Sequence, residues 1–205
     1  MKINKLFAAV LSASMIIGSS TAAMAAPSMM NALDTNQVSA SEGTVTVTEM
    51  SVEDLSAQYG EEAGAVAEAI QSADVNSTLS EIFETALGTD GLASLEIKLF
   101  TDGVEGEAVD LESMKVLSPV VDLQLDGVEP TEENPVDVTF TANNATDDID
   151  VYVLHLCDGH GWEILSTEKA ADNQVTAPFH SLSPVALVYA DAAEDTEAVE
   201  SPATK

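Results

Sequence analysis

Between residues 95 and 189 apolar side chains recur at every second position in several short runs, and that period commits this part of the chain to β structure. Leu95, Ile97 and Leu99 alternate with Glu96 and Lys98. Val121, Leu123 and Leu125 alternate with Asp122, Gln124 and Asp126. Val136, Val138 and Phe140 alternate with Asp137, Thr139 and Thr141. Each run reads as a half-buried strand with one wet face. Residues 150–157 are apolar on both faces, as a central strand is. Asp158-Gly159-His160-Gly161 has the composition of a turn, and 162–166 returns from it. Two further runs, 175–179 and 185–189, complete a set of about seven strands. The expected fold is mainly β, an antiparallel immunoglobulin-like sandwich over residues 91–190. The stretch 103–117 reads as a long loop.

Upstream the period is helical. Ser51 is placed to cap a helix that closes at Gly60. Ala63, Val66, Ala67 and Ile70 then fall on one helical face. Thr78 and Glu81 form a capping box, T-x-x-E, ahead of a second stripe of Leu79, Ile82, Phe83, Ala86 and Leu87 that Gly88 stops. Residues 44–90 are therefore expected to hold a short strand and a small N-terminal helical unit. Residues 27–43, rich in Ser, Asn and Ala, read as a flexible lead-in. Residues 191–205 read as a disordered acidic tail.

The first 26 residues have the three parts of an export leader. Lys2 and Lys5 give a basic start, 6–18 an apolar core, and Ala23-Met24-Ala25 the small residues a signal peptidase requires. The apolar core is too short for a resident transmembrane helix. The expectation is a secreted, extracellular protein cleaved at Ala25 or Ala26, with no membrane anchor.

Removing the leader removes two of six lysines and no acid, so the charge of the full chain, −30, becomes −32. There is no arginine. Such a surface repels nucleic acid and anionic membranes, which attract proteins through Lys/Arg clusters. The lone cysteine, Cys157, cannot form an internal disulfide, so the fold must rest on its apolar core.

The segment 150–189 carries D-V-Y-V-L-H-L-C-D-G-H-G-W-E-I-L-S-T and ends F-H-S-L-S-P-V-A-L-V. It resembles the closing half of β-sandwich modules, distantly ZU5-like, in secreted and surface proteins of Gram-positive gut bacteria. Trp162, Phe179, Ser183, Pro184 and Ala186 match that pattern, which spans about a fifth of the chain. The resemblance implies a fold and a compartment. It implies no reaction, because these modules generally lack an assigned activity.

Chemistry-bearing residues concentrate in the same segment. His155 and Cys157 share a strand face, His160 sits on the turn, and His180 precedes the closing strand. Two histidines and a cysteine within six residues could begin a zinc site. No C-x-x-C or H-E-x-x-H accompanies them. The expectation from spacing is that Cys157 is a small core residue and that His155 packs or bonds to backbone. A reactive thiolate needs an electropositive setting, which this chain lacks. No G-x-S-x-G elbow is present. Calcium would find carboxylates at 147–150 and 129–137, but without the D-x-D-x-D-G order they read as solvated loops. No catalytic residue, cofactor or metal ligand is therefore assigned from sequence. The expected function is that of an exported non-catalytic module with an extracellular protein or cell-wall component as partner. The alternatives are a secreted hydrolase using carboxylates and an ion- or carbohydrate-binding module, the latter needing an exposed Trp162 beside Tyr152.

Overall fold

The computed structural model describes residues 32–74, 76–157, 159–182 and 184–192. The leader, residues 193–205 of the acidic tail, and Ser183 of the closing motif lie outside the described residues.

Two strands, β1 (Ser39–Ala40) and β2 (Thr44–Glu49), precede three helices, α1 (Val52–Tyr59), α2 (Glu61–Ser72) and α3 (Leu79–Ser94). Strands β3 (Lys98–Thr101), β4 (Val104–Ala108), β5 (Met114–Val116), β6 (Val121–Asp126), β7 (Val136–Thr141), β8 (Ile149–Cys157), β9 (Gly161–Leu165), β10 (Glu168–Ala171), β11 (Gln174–Phe179) and β12 (Val185–Asp191) follow. The chain is mainly β. One sheet has eight strands in the order β2-β6-β12-β8-β9-β3-β4, with β5 also paired to β12. It is mixed, because β3 runs parallel to β9. The other, β1-β7-β11-β10, is antiparallel throughout.

Helix ends follow the local chemistry. The Ser51 hydroxyl accepts from the Asp54 N–H at 3.1 Å, and Gly60, at φ 97°, ends α1 where a side chain would be strained. Thr78 and Glu81 satisfy each other's backbone N–H groups at 3.2 and 3.0 Å. Gly88, at φ 74°, breaks α3 as expected, but the helix resumes beyond it as far as Ser94. That extension consumes the residues before Leu95, so the 95–99 alternation becomes a strand only from Lys98 onward.

Burial is divided between two apolar clusters. Val138, Phe140, Ala177 and Phe179 of the small sheet pack with Leu123, Val153, Leu187 and Tyr189 of the large one. The opposite face of the large sheet, through Leu154, Trp162, Ile164, Ala186 and Val188, packs on Leu55, Val66, Ile70, Ile82 and Phe83 of the helices. β8 and β12 are thus covered on both sides, which is why their sequences are apolar without alternation.

Three expectations need correction. The 103–117 stretch contains β4 and β5. Asp102 (φ 53°) and Gly103 (φ 74°) make a two-residue turn whose doubly positive φ matches the twist of a hairpin, here joining β3 to β4. The 27–43 segment, where described, is built in: Ala32 and Leu33 are buried, Leu33 bridges Ala142, and β1 pairs with β7. Asp122, assigned to a wet face, is 2% exposed. Its face carries α1, and it accepts a 2.6 Å hydrogen bond from the Tyr59 hydroxyl and a 2.9 Å bond from Gln124.

Candidate metal centre

The β8–β9 hairpin sets His155 directly across from Glu163, and Cys157 across from Gly161. Alternation then sorts the side chains. Trp162 and Ile164 turn toward the helices, while Leu165, two positions beyond Glu163, packs between the sheets. Val151 and Val153 of β8 pack there too, on the face that His155 and Cys157 share. Across the interface β11 ends at Phe179, whose ring meets the His155 ring edge-on at 5.3 Å. The next residue, His180, enters the space between the sheets. The turn before β9 adds His160, whose ring stacks on Phe100 at 5.2 Å.

Glu163 is the hub. Its Oε1 accepts from His155 Nδ1 at 2.7 Å and lies 3.1 Å from His180 Nε2. Its Oε2 lies 3.3 Å from His160 Nδ1. His180 Nε2 is also 3.6 Å from Cys157 Sγ, and the Ser181 hydroxyl donates to that sulfur at 3.3 Å. On the outer side His160 Nε2 meets Glu132 at 3.3 Å. Glu163 and His155 are 1% and 0% exposed. Cys157 and His180 are buried as well, and only His160 reaches solvent.

A buried carboxylate is costly without a compensating charge. No permanently charged side chain supplies one here. The three described lysines are engaged elsewhere, Lys98 with Glu105, Lys115 with Asp191 and Lys169 with Asp147. Burial pushes His155 below the usual histidine range and outweighs the upward pull of Glu163. The His155 Nδ1–H donates to the carboxylate. The result is an electron-rich pocket of thiol, imidazole and carboxylate.

This is not the arrangement of a Cys–His–acid nucleophile. In such a triad the thiol and the acid use opposite nitrogens of one imidazole. Here Cys157 and Glu163 both address Nε2 of His180, and its Nδ1 has no partner among the described residues.

Sequence spacing brought His155, Cys157, His160 and His180 into view but assigned none of them a role. The structure brings all four together. It adds Glu163, whose one sequence signal is an acid set between Trp162 and Ile164 in a strand otherwise apolar, and Glu132 from the β6–β7 loop. The carboxylates at 147–150 and 129–137 remain exposed, and Asp147 is paired with Lys169. Trp162 is 3% exposed, so it offers no face to a sugar. No helix among the described residues is long and apolar enough to cross a membrane. Compared with protein-family models, curated proteins and solved structures, the chain matches none.

Proposed function

We propose that this is an exported, non-catalytic protein that works outside the cell as an interaction or structural module, its two sheets forming an immunoglobulin-like sandwich related to the surface modules its closing segment resembles. One observation carries the interaction role. Every described lysine already faces a carboxylate, so the remaining acids leave a surface of one sign. Such a surface steers and holds cationic partners, with a strength that falls as salt rises. The packing of both sheets on one apolar cluster supports the sandwich, with a helical layer added on the far face. The hydrolase alternative has less support. A cleft of about 710 Å³ beside β8 and β10 is lined by Asp110, Asp147, Asp150, Glu168 and Asp172, and among these Asp147 is taken up by an exposed ion pair with Lys169.

Two measurements test this reading. N-terminal sequencing of the protein from culture fluid should give a chain beginning at Ala26 or Pro27, and an intact Met1 would overturn export. The purified mature chain should be retained by isolated cell envelopes or immobilised culture-fluid proteins at low salt and released at high salt. Equal passage through both at low salt would defeat the interaction role. An ion-binding form of the module is favoured by one specific observation, the convergence of the Cys157, His160, Glu163 and His180 ligand atoms.

A further inference from the structure

We propose that Cys157, His160, Glu163 and His180 form a four-ligand zinc site that clamps the β8–β9 hairpin to the end of β11. The site does not depend on export or on the identity of any partner. Its four ligand atoms lie within 4.8 Å of one another. Zinc bonds of about 2.0 Å to nitrogen or oxygen and about 2.3 Å to sulfur, at tetrahedral angles, separate neighbouring ligand atoms by about 3.3–3.5 Å. His160 Nδ1 to Glu163 Oε2 is 3.3 Å, and His180 Nε2 to Cys157 Sγ is 3.6 Å. Small side-chain movements complete the coordination.

The donor set selects the ion. One sulfur, two imidazole nitrogens and one carboxylate oxygen suit a borderline-soft cation, whereas calcium and magnesium want oxygen alone. Charge also balances. Binding displaces the Cys157 thiol proton to solvent, and the thiolate and the Glu163 carboxylate together neutralise the 2+ ion. The buried carboxylate then has the partner that no lysine supplies.

Outer contacts already orient the ligands, as metal sites require. His155 holds Oε1 of Glu163 and leaves Oε2 turned toward His160. Glu132 lies 3.3 Å from Nε2 of His160, on the outer side of the ring, while Nδ1 faces inward toward Glu163. Ser181 donates to the cysteine sulfur. His160 alone is on an exposed turn, so it serves as the entry side. The ligands come from both sheets, through β8 and β9 on one and the residue after β11 on the other, so a bound ion cross-links the two layers.

The test uses the full mature chain without a polyhistidine tag, stripped with chelator and titrated with cobalt(II). The expected result is intense visible bands of a tetrahedral ion with a near-ultraviolet thiolate-to-cobalt band, saturating at one ion per chain and abolished by added zinc. Cys157→Ala should remove the thiolate band. His160→Ala lies on the exposed turn and should fold, with a metal-free melting temperature lowered modestly by the lost stack on Phe100, and should lose more affinity than the roughly 10- to 100-fold typical of outer partners. His155→Gln should fall within that 10- to 100-fold range. Zinc should raise the wild-type melting temperature and leave that of His160→Ala nearly unchanged. A cobalt spectrum like that of the aqueous ion overturns the proposal. So does a thiolate band that survives Cys157→Ala, or calcium and magnesium matching the effect of zinc at equal ionic strength. If Cys157→Ala does not fold, the His160→Ala titration decides, since unchanged affinity there excludes the site.

Discussion

Trp162 is the side chain whose removal the fold should tolerate least, and its cost can be worked from its surroundings. It is 3% exposed and meets Phe83 edge-on, with ring centroids 5.9 Å apart at 73°. An aromatic of this kind buries roughly 150–250 Å², and the edge-on pair contributes about 0.5–1.5 kcal/mol more. At about 25 cal/mol per Å² the area alone is worth roughly 4–6 kcal/mol, part of which an alanine methyl retains. Against this, the indole Nε1–H is buried without a partner among the described residues, and such a group costs about 1–3 kcal/mol. Trp162→Ala should therefore destabilise by roughly 3–5 kcal/mol, within the range of large aromatic truncations in cores. Trp162→Phe keeps one of the two fused rings and deletes the unpartnered N–H but leaves a small cavity, so its cost should be clearly below that of alanine, about 1–3 kcal/mol. Urea unfolding followed by far-ultraviolet circular dichroism measures both. The assay cannot use fluorescence in the variants, because Trp162 is the only tryptophan. In the wild type a blue-shifted emission should report the same burial. An alanine variant with the wild-type midpoint, or a phenylalanine variant as damaged as the alanine one, would refute the reasoning.

Other perturbations test other parts of the fold. Tyr59→Phe removes the 2.6 Å bond to buried Asp122 and should cost about 1.5–3 kcal/mol, as bonds to charged acceptors do; chemical denaturation reads it directly. Burial, then the Asp122 contact, hold the Tyr59 phenol well above its usual range, so the folded chain keeps it neutral where the unfolded chain ionises near pH 10. Its stabilisation is complete below about pH 10 and lost as pH rises beyond it toward the folded value, so melting profiles should fall more steeply for wild type than for Tyr59→Phe. Gly43→Ala forces φ 75° on a residue with a Cβ 2.7 Å from the Asp126 carbonyl oxygen, and should cost more than the roughly 1–2 kcal/mol of a left-handed backbone, seen as a lower urea midpoint. Sodium chloride should raise the melting temperature between about 0.01 and 0.1 M as the Debye length falls from about 30 to 10 Å and carboxylate repulsion is screened; a salt-independent midpoint would show that the acidic excess does not oppose folding.

Local patterns were legible in the chain. The Ser51 and Thr78 caps, the stripe of Ala63, Val66, Ala67 and Ile70, the Gly60 and Gly88 breaks, and the two-sided apolar β8 all depend on neighbours within a few residues, where periodicity and capping chemistry act. Asp102-Gly103 is equally local, a D-G turn signal that marks the return from β3 into β4. Burial of Asp122 was not local. Nothing in an alternating V-D-L-Q-L-D segment tells that α1 will lie over its polar face and present a tyrosine hydroxyl to it. The same holds for Ala32 and Leu33, which are buried because β7 lies more than a hundred residues away in sequence and beside them in space.

The metal-ligand cluster shows the division most clearly. The sequence by itself determined that His155 and Cys157 share a face and that His160 follows on the turn, because a strand has a period of two and Gly161 permits the tight return. It also determined the absence of arginine, which leaves a buried acid few possible partners. Only the tertiary structure decided that Glu163 is that acid, because a hairpin register is set by cross-strand hydrogen bonds that no single strand encodes. Only the packing of one sheet on the other brought His180 to within 3.1 Å of it. That contact joins residues 17 positions apart through the burial of Phe140, Val153, Phe179 and Leu187, an apolar attraction without direction that the chain satisfies as a whole.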